Sequence, residues 1–166
     1  MKKTILISLF SFIVFSVAAQ SPIDKGSVQL NAGLGLSGWG VPVYVGLDFG
    51  VSSAVTAGLE LSYRSYHQNW HNYYYNHTIM GVSGNVNYHF DEVLQLKDPW
   101  NLYAGLNLGF YYWNSPNSYD GDGASGLGIG AQIGGRYYFN DKFAINLEFG
   151  GGNAFAGGKI GVSVKL

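Results

Sequence analysis

The stretch that decides the fold is RYYFNDKFAINLEFG, residues 136–150, in which two strand-like runs flank a very short break. In the second run an apolar series alternates with a polar or small series: Phe143, Ile145, Leu147 and Phe149 against Ala144, Asn146, Glu148 and Gly150. Strict alternation of this kind is typical of a β-strand with two different faces. The apolar face points inward in a soluble barrel and outward, into lipid, in a membrane barrel. The rest of the chain must therefore decide between the two.

The same period of two recurs along the chain from residue 28 to the last residue. It predicts eight strands, at residues 28–36, 41–49, 55–63, 79–90, 102–112, 127–139, 143–149 and 160–166. No stretch after the first 20 residues has a convincing helical period. The predicted fold class is therefore all-β, an up-and-down antiparallel barrel of eight strands.

The composition excludes several classes of protein. Charged residues make up 11% of the chain, whereas typical soluble domains have about 25%. The net charge of −1 gives no indication of nucleic-acid binding. The chain has no cysteine, which excludes a disulfide framework and a thiolate zinc site.

The N-terminus has the pattern of a secretory signal peptide. Two lysines at residues 2–3 precede the apolar run TILISLFSFIVFSV, residues 4–17, and the small residues Ala18 and Ala19. We predict cleavage after Ala19 or Gln20, so that residues 1–19 are the signal peptide and residues 20–166 the barrel domain. An uncleaved membrane anchor is the alternative. No later segment contains 18 uninterrupted apolar residues, so no transmembrane helix is predicted after the signal.

The lengths of the connections differ between the two ends of the predicted barrel. Residues 51–53 and 140–142 are short turns, whereas residues 67–77 and 114–123 are predicted long polar loops. Residues 91–99 are an exception, a loop of medium length at the short-turn end. Short turns at one end and long loops at the other are typical of outer-membrane barrels, in which the short turns are periplasmic.

The composition of the two strand faces decides the orientation. Ten glycines lie on the polar faces, together with amides and a few charges, and small residues suit the narrow interior of an eight-stranded barrel. Aromatic residues fall at both ends of the apolar faces: Phe49, Tyr88, Phe90, Tyr137, Phe139 and Phe143 at the short-turn end, and Tyr63, Phe110 and Tyr112 at the other. Two such belts match the girdles of membrane barrels, whereas aromatic residues of a soluble sandwich core are the alternative. The prediction is an eight-stranded transmembrane β-barrel.

From residue 26 to residue 166 the chain resembles the small eight-stranded outer-membrane barrels of Gram-negative-type bacteria, such as OmpX, the OmpA barrel domain and the opacity-type porin-like proteins. The last strand, KIGVSVKL, resembles the signal read by the barrel-insertion machinery, with apolar Ile160, Val162 and Val164, although it ends in Leu166 where the family usually has Phe. The resemblance implies location in the cell outer membrane, with the lipid bilayer, lipopolysaccharide and the insertion machinery as partners.

The charged residues of the polar faces are predicted to form a network inside the barrel: Asp48, Glu60, Arg64, Arg136, Glu148 and Lys159. If Phe139 lies opposite Phe143, Arg136 faces Asn146 with Glu148 on the diagonal, within reach of a long side chain. Buried charges need partners, so Glu–Arg contacts would plug the lumen. A water-filled pore is the alternative, although wide channels belong to larger barrels.

The loops predict a structural role combined with surface contact or adhesion. The tract HQNWHNYYYNH contains the proposed contact residues Trp70, His71, Tyr73, Tyr74 and Tyr75. A small porin-like channel is the second reading and a lipid A-modifying enzyme the third. We predict no enzyme, because His89 falls at the periplasmic end and no nucleophile–His–acid set is evident. We predict no cofactor or metal, because the three loop histidines (67, 71 and 77) have no carboxylate beside them. The external ligand stays unidentified.

Overall fold

Eight strands follow one another in up-and-down order and close into a barrel in the computed structural model, which describes residues 24–37, 40–70, 73–116, 125–152 and 157–166. The elements are β1 (Val28–Ser37), β2 (Val43–Gly50), β3 (Val55–Trp70), β4 (Tyr73–His89), α1 (Asp91–Leu94), β5 (Trp100–Asn114), β6 (Gly126–Tyr138), β7 (Phe143–Gly152) and β8 (Gly157–Lys165). The predicted signal peptide, residues 1–19, lies outside the described residues. In the described part of the chain, no helix has the length and hydropathy needed to cross a membrane.

All neighbouring strands are antiparallel, and the ring closes between the first strand and the last. The closing ladder runs from Gln29 opposite Lys165 to Ser37 opposite Gly157. The β6–β7 register has Arg136 opposite Asn146, as predicted from the short turn, and Phe139 N–H donates to the Phe143 carbonyl at 2.8 Å. A closed ring leaves no strand edge within the barrel wall, which is the condition for a sheet to exist in hydrocarbon.

The exposure of the side chains shows whether the apolar face of each strand points into or out of the barrel. The apolar series points outward: Leu106 is 65% exposed and Ile133 61% exposed. The polar series points inward, and Asn87, Asn101 and Arg136 are each at most 2% exposed. This distribution is the reverse of a soluble protein's, in which charged and amide side chains are mostly outside. The exterior of the barrel is a lipid-facing surface.

Aromatic side chains border this apolar surface at both ends. On β5, Trp100 and Tyr112 are 54% and 53% exposed and mark the two borders. At about 3.4 Å per residue and a strand tilt of about 40°, these residues are roughly 30 Å apart along the barrel axis. That distance fits the hydrocarbon core of a bilayer. Trp100 stacks edge-on against Tyr137, with ring centroids 4.9 Å apart, and extends the predicted short-turn belt.

β3 and β4 extend farther than the neighbouring strands at the end opposite the short turns, so the barrel wall is taller there. The prediction of a loop over residues 67–77 is therefore wrong. β3 and β4 continue as a paired hairpin to Trp70 opposite Tyr73, with only residues 71–72 between them. Tyrosine and tryptophan favour strands. The backbone pairing therefore continues here, although polar residues interrupt the apolar face. The β2–β3 ladder ends at Val43 opposite Tyr63, so residues 64–70 extend beyond it by roughly 24 Å along the strand, at about 3.4 Å per residue.

Two other predicted connections differ in detail. β5 continues to Asn114, so the second long connection begins later than expected, and its residues 117–124 lie outside the described part. The medium connection at the short-turn end contains the single helical turn α1, where no helix was predicted. A four-residue turn is too short to produce a helical period in the sequence.

We expect the substitution Leu106→Arg to lower the free energy of unfolding by about 2–4 kcal/mol in a bilayer, because it places a guanidinium near the membrane midplane. The measurement is urea unfolding in phospholipid vesicles, followed by tryptophan fluorescence. The matched variant Tyr112→Arg, at the belt, should cost only about 0–1 kcal/mol. Equal and small effects at both positions would contradict a lipid-facing exterior.

Candidate functional site

The lumen contains two ionic contacts between side chains of distant strands. Arg136 Nη2 on β6 lies 2.7 Å from Asp48 Oδ2 on β2, and these side chains are 2% and 5% exposed. Asn31 Nδ2 donates to the same carboxylate oxygen at 2.9 Å. The Arg136 guanidinium also lies over the Tyr103 ring, 4.5 Å from its centroid. The contact of Arg136 with Asp48 therefore joins strands on opposite sides of the barrel wall.

Lys159 on β8 forms the second contact and bridges two carboxylates. Its Nζ donates to Glu60 Oε1 and Oε2 at 2.9 and 2.8 Å and lies 3.1 Å from Glu148 Oε1. Tyr103 donates its hydroxyl hydrogen to Glu148 Oε2 at 2.9 Å. A single ammonium therefore links β3 with β7 across the barrel interior. Each of these charges has an opposite charge beside it, as burial requires.

The pairing within the predicted charge network differs from the expected one. Arg136 pairs with Asp48 and not with Glu148, because the side chains reach across the lumen instead of along the β6–β7 diagonal. Glu148 lies opposite Gly134 in register and contacts Lys159 and Tyr103. Arg64, another predicted member of the charge network, lies farther from the short-turn end than Glu60 does. It is 3% exposed, and its Nη1 donates to Ser37 Oγ at 3.1 Å.

Tyrosines span the lumen above glycines of the intervening strands. Tyr44 on β2 donates to Asn146 Oδ1 on β7 at 3.2 Å, and its hydroxyl lies over Gly161. Tyr103 on β5 passes over Gly134 to reach Glu148 on β7. A Cβ at Gly134 would overlap the Tyr103 ring, and one at Gly161 would overlap the Tyr44 hydroxyl. These two glycines are therefore required by close approach.

Amide and hydroxyl side chains near the short-turn end form a network that the sequence did not reveal. Tyr138 donates to Gln29 Oε1 at 2.7 Å, Gln29 Nε2 donates to Asn31 Oδ1 at 2.9 Å, and Ser163 donates to the same oxygen at 2.7 Å. Asn31 in turn contacts Asp48. The alternation predicts that these side chains point inward. It does not predict their hydrogen-bond partners, because those lie on other strands.

The space left between these side chains is small. A cavity of about 20 Å³ lies between the two ionic contacts, and further cavities of about 10 Å³ each adjoin Lys159. Each has room for about one water molecule.

A nucleophile-like cluster lies at the short-turn end of the lumen. Thr56 Oγ1 is 3.1 Å from His89 Nε2, and Asn101 Nδ2 contacts both His89 Nδ1, at 2.9 Å, and Asp91 Oδ2. An amide nitrogen only donates, so Nδ1 accepts and the ring proton is on Nε2. His89 then donates to Thr56 and cannot remove its proton, which is opposite to what a general base does. Thr56 and Asn101 are fully buried.

Asp91 connects this cluster to the beginning of β5 through a hydrogen bond. Its Oδ1 accepts the backbone N–H of Leu102 at 3.1 Å. Burial raises the pKa of the Asp91 carboxyl, while the hydrogen bonds from Asn101 and Leu102 act in the opposite direction. These hydrogen bonds order the β4–β5 connection.

The predicted contact residues lie at the top of the tall wall. Trp70 ends β3, and Tyr73, Tyr74 and Tyr75 begin β4. His71 and the side chains of Trp70, Tyr73 and Tyr74 lie outside the described part of the structure. Below them, His77 is buried, and its Nδ1 is 2.9 Å from Ser115 Oγ. Among the described residues, no three His, Asp or Glu side chains are arranged to hold a metal ion.

We expect Asp48→Asn alone to lower the free energy of unfolding by about 3–5 kcal/mol, because it leaves the Arg136 guanidinium buried without a counter-charge. The double variant Asp48→Asn/Arg136→Gln should cost less than the sum of the two single substitutions, because it removes both charges. Urea unfolding of the four proteins in phospholipid vesicles measures this coupling. Additive single effects would show that the two charges do not depend on each other.

Comparisons with known proteins bear on the fold. No family model matches the chain, and no curated protein matches it. Among solved structures, the N-terminal β-barrel domain of Pseudomonas aeruginosa OprF is similar with a TM-score of 0.60 and 19% identity, over 86% of this chain and 98% of that one. Neisserial surface protein A gives 0.58 and 12%, over 84% and 95%. The Yersinia pestis outer membrane protein Ail in a phospholipid nanodisc gives 0.51 and 10%, over 86% and 100%. The predicted resemblance is thereby confirmed for the architecture, and the chain has the fold of the small outer-membrane β-barrels.

Proposed function

We propose that this protein is an integral barrel of the bacterial outer membrane that acts as a structural protein and makes surface contacts through its tall wall. Its lumen is closed by polar and charged side chains, so it does not act as a channel. It carries no cofactor and catalyses no reaction. Lipid, lipopolysaccharide and, during assembly, the barrel-insertion machinery are its partners.

The observation that carries the closed lumen is the Lys159 bridge between Glu60 and Glu148. Together with Asp48–Arg136, it joins strands on opposite sides of the barrel at two levels. The cavities of about 10–20 Å³ between these contacts and beside Lys159 have room for about one water each, which supports a plug over an aqueous path. The small porin-like channel is the competing function at this site.

The height of the β3–β4 hairpin supports surface contact. Its paired strands continue beyond Tyr63, and they end in a tract rich in Tyr, Trp and His. Tyrosine and tryptophan supply a large contact area at low cost in side-chain entropy. A hairpin of this composition suits contact with lipopolysaccharide sugars or with another cell surface.

The arrangement around His89 supports a non-enzymatic role over lipid A modification. Its neighbour Thr56 is buried and accepts a hydrogen bond from the ring N–H. The pair therefore lacks both the access and the direction of proton transfer that nucleophilic catalysis needs. The cluster also lies at the short-turn end, whereas an enzyme of the outer leaflet would act at the opposite end.

We expect the wild-type barrel to give no stable conductance in planar lipid bilayers, because the ionic bridges occupy the lumen. The variant Lys159→Gly should give frequent conducting events, since it removes the ammonium that holds Glu60 and Glu148 together. Lys97→Gly, in the short-turn connection outside the lumen, is the matched control and should stay silent. Stable wild-type openings that scale with salt concentration would favour the channel.

We expect the triple variant Tyr73→Ser/Tyr74→Ser/Tyr75→Ser to lose most of the adherence that the wild-type protein confers on expressing cells. Adherence is measured on immobilised lipopolysaccharide and on cultured epithelial monolayers, with equal surface amounts of protein. Val51→Ser, in the short turn at the other end, is the control and should keep wild-type adherence. Unchanged adherence of the triple variant, or none for the wild type on either surface, would contradict the contact role.

A further inference from the structure

The connection between β4 and β5 exposes apolar side chains at the short-turn end of the barrel. Val93 and Leu94, both in α1, are 64% and 54% exposed. Of the connections that the structure describes at this end, residues 51–54 and 139–142 contain no helix. The helical turn is therefore a feature that these two connections do not share.

The apolar side of α1 points to the outside of the barrel. Phe90, which precedes the helix, has its ring edge-on to Tyr88 on the lipid-facing surface, with centroids 5.0 Å apart. Leu94 N–H donates to the Phe90 carbonyl at 2.8 Å, which closes one helical turn. Residues three and four apart share a face of a helix. Val93 and Leu94 therefore lie on the side of Phe90 and Tyr88, and Glu92 lies opposite.

The polar side of the same turn is fixed to the barrel. Asp91 is buried and accepts hydrogen bonds from the Leu102 backbone and the Asn101 side chain, at the start of β5. The belt residue Trp100 is the first residue of β5, directly after this connection, and stacks on Tyr137. The exposed pair in α1 is thus held beside the aromatic belt and cannot turn toward the lumen.

We propose that α1 is a lipid anchor, in which Phe90, Val93 and Leu94 insert at the boundary between headgroups and acyl chains of the leaflet nearest the short turns. Continuity with the lipid-facing belt, through the contact between Tyr88 and Phe90, identifies phospholipid as the occupant. Apolar helical faces bury about 5–10 Å into this boundary region. The anchor fixes the depth of the barrel at one point of its circumference. This inference rests on the proposed membrane location of the barrel.

The chain has no cysteine, so single cysteines can be labelled cleanly. Leu94→Cys, Glu92→Cys and Leu106→Cys are each labelled with a nitroxide in vesicles of phosphatidylethanolamine and phosphatidylglycerol. Collision with oxygen, which concentrates in lipid, is compared with collision with a water-soluble nickel chelate. The oxygen-to-nickel ratio should be several-fold higher at residue 94 than at residue 92, and highest at residue 106. Retarded gel mobility on heating checks that each variant has folded.

The outcomes separate this inference from the function on which it rests. A lipid-like ratio at residue 106 with equal, water-like ratios at residues 94 and 92 overturns the anchor and leaves the membrane barrel intact. A label at residue 94 shielded from both reagents also overturns the anchor, because protein would then cover the turn. A water-like ratio at residue 106 overturns the membrane location and the anchor together.

Discussion

The structure depends on one constraint: inside a bilayer, every backbone N–H and C=O group must find its partner within the protein. A sheet meets this condition only when it has no edge, and here the β1–β8 ladder removes the last one. The up-and-down order follows, because each short connection joins neighbours in the ring. Once the ring is closed, the alternation of side chains assigns Leu106 and Ile133 to lipid and their neighbours to the lumen.

A ring of eight strands encloses a narrow space, and this determines the character of the interior. Large side chains such as Tyr44 and Tyr103 can cross it only where glycines lie beneath them. The remaining volume holds charges that are too far from water to be left alone. The Lys159 bridge and the Asp48–Arg136 contact place an opposite charge beside each of these buried charges.

Local pattern was enough to predict the barrel, because alternation around Phe143–Phe149 and the short turn after Phe139 are properties of adjacent residues. The alternation of inward and outward side chains along each strand also places Asp48, Arg136 and Lys159 in the interior. Their partners could not be derived in this way, since a contact across the lumen depends on the tilt and stagger of the whole ring. The sequence beyond Tyr63 predicts a loop because polar residues interrupt the apolar face, and it does not predict α1 because one helical turn leaves no period.

The unequal height of the wall has a consequence for how such a protein can change over time. The β2–β3 ladder ends at Tyr63 and the β4–β5 ladder begins at Thr78, whereas β3 and β4 stay paired as far as Trp70 and Tyr73. The outer part of the hairpin thus draws its order largely from its own two strands. Substitutions there change none of the ladders that close the ring, so the sequence of this segment is free to diverge while the membrane-embedded part stays the same.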